Sequence, residues 1–173
     1  MEQVDLWDEN RTKILRTITR GDEIAPYERR VSIHCYIINS KGEILIQKRS
    51  LNETHFQGWW STLGGAVTHG MNSFETVNIE AQEELGLKFN NEQIKWILSF
   101  KRPKDFVDVY VINADVDLKD IVMAPDEVID TRWATFNEIE EMIKNKIFID
   151  QPYLLLLKSI LNYRIDPKLA KLN

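Results

Sequence analysis

The chain has 173 residues, a length that suits one domain with a sizeable core, so we expect a single domain over residues 1–173. Its net charge of −5 at pH 7 argues against a general nucleic-acid-binding protein, which would present a basic face. Cys35 is the one cysteine, so no intramolecular disulfide can form. The N-terminus lacks the apolar stretch of a secretory signal, and the aliphatic run at 154–157 is too short for a bilayer. We therefore expect a cytoplasmic protein without membrane contact.

The first part of the chain is predicted to form strands. Residues 4–19 alternate loosely around turn-forming residues, which predicts a short N-terminal hairpin, an extension over about residues 1–25 that serves as an edge of the domain or as a dimer contact. Stretches at 31–38 and 43–49 are rich in β-branched and aliphatic side chains and flank a turn, so together they predict a central hairpin. His34 and Cys35 lie in its first strand, where we expect packed core residues.

An acidic helix follows the glycine-rich stretch 64–70, which is predicted to be a tight turn. Glu80, Glu83 and Glu84 are spaced i, i+3 and i+4, so they share one face of the helix, and Gly86 is placed to cap its C-terminus. The opposite face is apolar and consists of Phe74, Val77, Ala81 and Leu85. Because like charges repel and no Lys or Arg occurs at 64–87, the candidate counter-charge is a divalent cation that takes oxygen ligands.

The rest of the chain is predicted to alternate strands and helices. The predicted strands are 96–101, 106–114 and 127–134. Thr135 is the expected N-cap of an amphipathic helix at 136–146, and Pro152 begins a final helix over about residues 152–164, before a polar tail at 166–173. This order of elements predicts an α+β fold.

Residues 65–87 resemble the Nudix box, a 23-residue pattern of Gly, five residues, Glu, seven residues and then Arg-Glu-U-x-Glu-Glu-x-Gly-U, where U is bulky and aliphatic. Six of the nine defined positions match in register, namely Gly65, Glu80, Glu83, Glu84, Gly86 and Leu87. On this resemblance, which extends more weakly over most of 31–146, the chain is identified as a member of the Nudix family. The resemblance implies a mixed β-sheet sandwiched between α-helices. The hairpin ending QKRS and the later Glu127, Val128 and Trp133 are similar to the branch related to isopentenyl-diphosphate isomerase.

Three positions depart from the pattern. Ala81 at an aliphatic position is a mild change. Met71 stands where the family has its first Glu, and Ile79 stands where it has an Arg that would hold a carboxylate by a charge-assisted hydrogen bond. Either another group orients the acids, or metal affinity is lower than is usual in the family, or this chain does not catalyse.

The resemblance implies a metal-dependent hydrolase that cleaves a phosphoanhydride bond in a nucleoside diphosphate linked to another group. It implies Mg²⁺ or Mn²⁺, held by Glu80, Glu83, Glu84 and the carbonyl oxygen of Gly65. Glu80 or Glu127 would accept the proton of the attacking water. The expected partner is a small-molecule diphosphate, and a homodimer is left open because family members are often dimers.

Three further residues are candidates for binding the substrate. Arg49 and Lys48, at the end of a predicted strand, would hold phosphate oxygens, although a cationic strand end also protects a sheet edge. Trp60 would stack on a base or another planar group, although Trp is also a frequent core residue.

Two other functions are open at this stage. Isomerases of isopentenyl diphosphate use a cysteine just before the box and metal-binding histidines near the first strand. Here residues 60–64 contain no cysteine, and Arg30 stands where a ligand histidine is expected. The second alternative, a nucleotide-binding or interaction module that keeps the fold without catalysis, is favoured by Met71 and Ile79.

Overall fold

The computed structural model describes residues 2–165, and the polar tail predicted at 166–173 lies outside them. Its strands are β1 (Gln3–Trp7), β2 (Lys13–Thr19), β3 (Arg30–Ile38), β4 (Ile44–Arg49), β5 (Trp60–Ser61), β6 (Leu63–Ala66), β7 (Ile94–Lys101), β8 (Asp105–Asn113) and β9 (Val128–Ala134). The α-helices within these residues are α1 (Ser73–Leu85), α2 (Phe136–Lys144) and α3 (Leu154–Ile165). No helix in this part of the chain is long and apolar enough to cross a membrane.

A mixed sheet of seven strands forms the centre of the fold. Five strands follow the order β5-β4-β3-β8-β7, while β6 also pairs with β3 and β9 also pairs with β4. β3 and β8 are parallel, from Arg30 opposite Asp105 to Ile38 opposite Asn113, and the other pairs are antiparallel. The predicted mixed sheet is therefore confirmed.

Helices cover both faces of this sheet because alternate residues of its strands are apolar on both sides. Ile33 and Cys35 of β3 point into a core beneath α1, whereas Tyr36 and Ile38 point into a second core. The helical residues that close the second core are Ile139, Met142, Leu154, Leu157 and Leu161. This arrangement, a sheet between α1 on one side and α2 and α3 on the other, confirms the predicted α+β sandwich.

A hairpin near the N-terminus forms a separate two-stranded sheet of β1 and β2. Its turn is closed by Asp8, whose side chain accepts hydrogen bonds from the N–H groups of Asn10 and Thr12 at 2.9 and 2.8 Å. The hairpin is tied to the main sheet by Arg11, which forms an ion pair with Asp108 of β8. A hairpin is therefore present where the sequence predicts one.

The central hairpin predicted at 31–49 is present, since β3 and β4 are antiparallel neighbours, but its pairing is confined to the end next to the turn. β3 and β4 meet at Ile38 opposite Ile44, but beyond that point β6 and β8 flank β3, and β9 pairs along β4. The local sequence favoured a hairpin because the two strands are joined by a short turn, and it carried no sign of the distant strands that replace this pairing.

The glycine-rich stretch also differs from the predicted tight turn. Gly64 and Gly65 lie in β6, opposite His34 and Ile33 of β3. A Cβ atom on Gly64 would stand 2.8 Å from the carbonyl oxygen of Ile33, so β6 can approach β3 this closely only without a side chain there. The turn itself comes later, at Gly70, which has a positive φ of 81°.

Candidate active site

The acidic helix α1 begins and ends at signals that the sequence carries. Asn72 accepts a hydrogen bond from the N–H of Glu75 at 2.9 Å, and the Glu75 carboxylate accepts one from the N–H of Asn72 at 3.3 Å, which is a reciprocal capping box. Gly86 ends the helix with φ 67°, and its N–H donates to the carbonyl of Gln82 at 3.1 Å. Leu87 then packs against the core.

Helix geometry explains why the three acids of α1 differ in exposure. Measured around the helix axis from the centre of the apolar face, Glu84, Glu80 and Glu83 lie at about 65°, 105° and 165°. Their burial decreases in the same order, since Glu84 is buried, Glu80 is half-buried and Glu83 is exposed. The predicted acidic face therefore extends from the core edge to solvent.

Glu84 is held by a side chain of the sheet. It is only 5% exposed, and its Oε2 accepts a hydrogen bond of 2.7 Å from Nε2 of Gln47 on β4. Burial, partly offset by this hydrogen bond and reinforced by the charge of Glu127, raises the pKa of Glu84 to about 7. The carbonyl oxygen of the Gln47 side chain is buried and has no hydrogen-bond partner. Gln47 thus orients the carboxylate without neutralising it.

Glu80 lies directly against Gly65. A Cβ atom built on Gly65 would stand 1.8 Å from Oε1 of Glu80, so the carboxylate occupies the space that any side chain at Gly65 would fill. Burial, followed by the charges of Glu84 and Glu83, raises the pKa of Glu80 to about 8. The structure therefore brings together two of the sequence-predicted site residues, Gly65 and Glu80.

Glu127 stands in the loop before β9, near these acids. The N–H of Ser50 donates a hydrogen bond of 2.8 Å to the carbonyl of Glu127, which fastens this loop to the end of β4. Partial desolvation, followed by the charges of Glu53 and Glu83, raises the pKa of Glu127. The charge of Glu127 in turn raises the pKa of Glu80 and of Glu84. Because Coulomb interactions weaken with distance and with solvent screening, these effects indicate that Glu127 lies near the acidic side of α1.

The donor chemistry of this site fits a hard divalent cation. Carboxylate and carbonyl oxygens are the ligands that Mg²⁺ and Mn²⁺ prefer. The raised pKa values of Glu80 and Glu84, caused first by burial, show that their charged forms are disfavoured as long as no cation is bound. Among residues 2–165, no three His, Cys, Asp or Glu side chains are grouped closely enough to hold a metal ion as they stand. Ion binding would therefore require the glutamate side chains to change rotamer.

A cationic cleft of about 440 Å³ opens beside the acids, along β6 and the start of β3. Gly65 forms part of its wall, and its charged lining includes Arg20, Arg30, Arg49, Arg102 and Lys104. The positive charge of Arg20 acts on Glu80, and that of Arg49 acts on Glu84, since each lowers the pKa of that acid against the stronger effect of burial. Arg49, which the sequence suggested as a phosphate-binding residue, thus lies at the end of the cleft that is nearest to the acids of α1, which we call the acidic end.

The structure does not bring Lys48 and Trp60 to this site. Gln47 contacts α1, so Lys48, the next residue along β4, points to the opposite face of the sheet. Trp60 pairs with Lys48 across β4 and β5, and its ring packs against the second core. The guanidinium carbon of Arg132 lies 5.3 Å from the centre of that ring.

Two of the three departures from the box pattern, Met71 and Ile79, have different surroundings. Met71 is 41% exposed in the turn before α1. Ile79 is half-buried and lines a shallow groove along α1 together with Glu83 and Lys88. No guanidinium stands at this position, and the orienting contact to an acid comes instead from Gln47 on the sheet.

Sequence reasoning missed most of the residues that surround the acids. Gln47 carried a signal, because it is a polar residue that follows three consecutive aliphatic residues in a predicted strand. Arg20, Arg102 and Lys104 carried none, since Arg20 follows β2, the other two lie in the turn before β8, and these segments meet only in the folded chain.

A mixed sheet between helices, with an acidic box on the helix that follows a glycine-rich strand, is the architecture of the Nudix class. The chain belongs to the Nudix family, since the NUDIX domain profile matches residues 28–156. This match covers the sheet, all of α1 and α2, and the start of α3.

Individual relatives agree with this assignment. An uncharacterised Nudix hydrolase from Listeria monocytogenes is 34% identical over 157 residues, which is 90% of this chain and 92% of the relative. Isopentenyl-diphosphate Delta-isomerase 1 from Photorhabdus laumondii is 31% identical over 117 residues, 63% of this chain and 62% of the relative. The crystal structure of DR0079 from Deinococcus radiodurans has a TM-score of 0.75 at 24% identity and covers 91% of this chain and 98% of its own.

Proposed function

We propose that this chain is a metal-dependent pyrophosphohydrolase that cleaves a phosphoanhydride bond in a small diphosphate compound, with nucleoside diphosphates linked to another group as the class that the family implies. The observation that carries the proposal is the meeting of acidic α1 with a cationic cleft at Gly65. Carboxylates and a diphosphate repel each other, so they can share one site only with cations between them.

The residues proposed to hold Mg²⁺ or Mn²⁺ are Glu80, Glu83, Glu84 and the carbonyl oxygen of Gly65. When bound, such a cation neutralises charge on the phosphate and lowers the pKa of a water molecule. Gln47 keeps the Glu84 carboxylate in place through its hydrogen bond of 2.7 Å. The absence of a side chain at Gly65 leaves room for the Glu80 carboxylate beside the cleft.

The remaining roles belong to side chains of the cleft. Arg20 and Arg49 are proposed to bind phosphate oxygens, Arg49 through the planar fork of its guanidinium. Water attacks one phosphorus atom, the bond from that phosphorus to the bridging oxygen breaks, and the proton of the water passes to a carboxylate. The proposed acceptor is a carboxylate oxygen of Glu80 or of Glu127, both near the acidic end of the cleft.

A screen of diphosphate compounds with Mg²⁺ and with Mn²⁺, scored by released phosphate, tests this function. We expect Glu83→Gln and Glu84→Gln to lower metal-dependent release by on the order of 100-fold or more, because each removes a charged oxygen ligand. At pH 5, where the Glu84 carboxyl is protonated in the folded chain, their melting temperatures should stay near that of the wild type. Glu92→Gln, at an exposed acid outside the site, is the matched control. Full activity in both Glu83→Gln and Glu84→Gln would rule the metal role out.

Separate measurements of Mn²⁺ binding and of turnover distinguish Glu80 from Glu127 as the proton acceptor. If Glu127 is the acceptor, Glu127→Gln should lose turnover while its Mn²⁺ affinity is retained, whereas Glu80→Gln should lose both. Isothermal titration with Mn²⁺ beside phosphate-release kinetics measures the two quantities. Unchanged turnover in Glu127→Gln would assign the proton to Glu80.

A binding module without catalysis is the second candidate. It is favoured by Met71, by Ile79 and by the lack, among residues 2–165, of side chains already grouped to hold a metal ion. A titration with Mg²⁺ or Mn²⁺ discriminates, because a module would show no binding at millimolar cation and no turnover of any compound in the screen.

Isomerisation of isopentenyl diphosphate is not supported by the position of the thiol. Cys35 is fully buried beneath α1, and burial raises the pKa of its thiol, so it is protonated at neutral pH. The segment before α1 offers Ser61 and Thr62 to the cleft. We expect no conversion of isopentenyl diphosphate to its isomer, measured by product analysis.

A further inference from the structure

The cationic cleft has two ends. At the near end, Arg20 and Arg49 stand beside the acids of α1. At the far end, Arg102 and Lys104, in the turn between β7 and β8, stand beside Arg30 at the start of β3. The cations at the near end already have a proposed role, which is to bind the phosphate oxygens of the diphosphate beside the acids of α1. The proposed cleavage of the anhydride uses none of the cations at the far end.

The register of the sheet gives the distance between the two ends. Gly65, at the near end, lies opposite Ile33, and Asp105, at the far end, lies opposite Arg30. Three residues of β3 separate these positions, which at 3.3 Å per residue is about 10 Å. A ligand that reaches both ends must therefore carry two anionic groups separated by a spacer of about the size of a sugar ring.

Positive charge at the far end exceeds negative charge by two. Arg102 forms an ion pair with Asp105, so these two charges cancel. Among residues 2–165, neither Arg30 nor Lys104 has a carboxylate within ion-pair distance. Arg30 donates from Nη2 to the carbonyl of Asp22 at 3.0 Å, while its Nε is buried without a hydrogen-bond partner.

Between the two ends, the wall of the cleft carries both aliphatic and polar side chains. In the part of the chain that the structure describes, no Phe, Tyr or Trp lines the cleft, so it offers no large ring on which a base could stack. His34 lines the cleft, but its Nδ1 is hydrogen-bonded to the hydroxyl of Tyr153. The cationic side chains at the two ends are therefore the groups best suited to select a ligand.

We propose that the substrate carries, in addition to its diphosphate, a phosphate monoester that Arg30 and Lys104 bind at the far end of the cleft. This proposal rests on the proposed function for the diphosphate end. A phosphate monoester carries about −1.5 to −2 charges at pH 7, which matches two uncompensated cations, whereas a carboxylate carries one. The spacer between the two groups is a sugar or a similar polar unit.

Two measurements on the full chain test this proposal, one independent of turnover. The first is isothermal titration with ribose 5-phosphate, ribose and inorganic phosphate. The second compares kcat/KM for 5-phosphoribosyl 1-diphosphate with kcat/KM for ADP-ribose in Mg²⁺. Both are repeated in Arg30→Gln/Lys104→Gln, in Lys104→Gln alone, and in the control Lys95→Gln, which changes an exposed lysine of β7 outside the cleft.

We expect ribose 5-phosphate to bind more tightly than ribose or inorganic phosphate, with a Kd that rises about tenfold or more in the double variant and less in Lys104→Gln. The preference for 5-phosphoribosyl 1-diphosphate over ADP-ribose should fall by a similar factor, while Lys95→Gln leaves both unchanged. Lys104 is exposed in a turn, so its single variant keeps the experiment informative even if the double variant does not fold.

Unchanged binding of ribose 5-phosphate in both Lys104→Gln and the double variant would overturn the proposal, even for an active hydrolase. Equal binding of inorganic phosphate and ribose 5-phosphate would also overturn it, because the far end would then be a site for free phosphate. Loss of ribose 5-phosphate binding in the variants, in a protein that hydrolyses no compound of the diphosphate screen, would support the far-end site and refute the hydrolase function.

Discussion

At the scale of single residues, the two adjacent glycines of β6 do different things. Gly64 leaves space for the backbone of β3, since the nearest atom to an added Cβ is the carbonyl oxygen of Ile33 at 2.8 Å. Gly65 leaves space for a side chain, the carboxylate of Glu80. Gly64 therefore allows β6 to pack closely on β3, whereas Gly65 makes room for a carboxylate of the candidate active site.

Substitution of each glycine by alanine should separate these two effects. Gly65→Ala should keep the melting temperature within a few degrees, because the Glu80 side chain can swing away, but it should lower metal-dependent activity by roughly 10- to 100-fold. Gly64→Ala should instead destabilise the fold by about 1–3 kcal/mol, because backbone must move. Thermal melts and phosphate-release kinetics on both variants provide the check. Equal loss of stability in the two would contradict this division.

At the scale of one element, the carboxylates of α1 differ in their burial. The free energy of unfolding of the metal-free protein should therefore depend on pH. Unfolded, Glu80 and Glu84 ionise near 4.5, whereas in the folded chain their pKa values are about 8 and about 7. Between pH 4.5 and 8 the folded chain keeps protons that the unfolded chain has released. The free energy of unfolding must therefore fall as pH rises through this window.

In EDTA we expect the melting temperature to be lower at pH 8.5 than at pH 5, by roughly 5 °C or more. Addition of Mg²⁺ at pH 8.5 should recover much of this difference, since an ion that binds the ionised carboxylates binds the folded state alone. The double variant Glu80→Gln/Glu84→Gln should show a flatter profile and no response to Mg²⁺. A wild-type profile that is flat without metal would contradict the raised pKa values.

Sequence alone predicted α1 well, and the reason is that a helix is specified locally. The spacing of the glutamates, the apolar stripe and the Gly86 cap are all contained within 13 consecutive residues and their flanks. β3 and β4 were correctly predicted as paired strands, but most of their pairing is with β6, β8 and β9, which was not predicted because pairing depends on residues far along the chain. Gln47 stands out in the sequence as a polar residue within an aliphatic strand, but its hydrogen bond to Glu84 could be found only when the position of β4 relative to α1 was known.

At the scale of the whole molecule, charge is unevenly distributed. The chain has a net charge of −5, yet five Arg and Lys side chains line one cleft. These residues come from the end of β2, the start of β3, the end of β4 and the turn before β8. No local pattern could predict the cleft, because it exists only where these four segments meet.

This local excess of positive charge predicts a strong dependence on salt. For an active diphosphate substrate, KM should rise several-fold between 50 and 500 mM KCl, since salt screens the attraction of the cleft for phosphate. The value of kcat should change less, because charges at contact distance are screened less than charges at long range. Steady-state kinetics at fixed free Mg²⁺ gives both values. A KM that is constant across this range would argue against a cleft that recruits phosphate by charge.

The parallel pairing of β3 with β8 has a kinetic consequence. Arg30 and Asp105 are adjacent in the sheet but 75 positions apart along the chain (105 minus 30). Pairing over such a separation closes a long loop, and this costs entropy before the contacts between the strands have formed. We therefore expect β8 to dock late during refolding. A fluorescent phosphate analogue that needs both walls of the cleft would then report the final step of folding, after α1 has already formed.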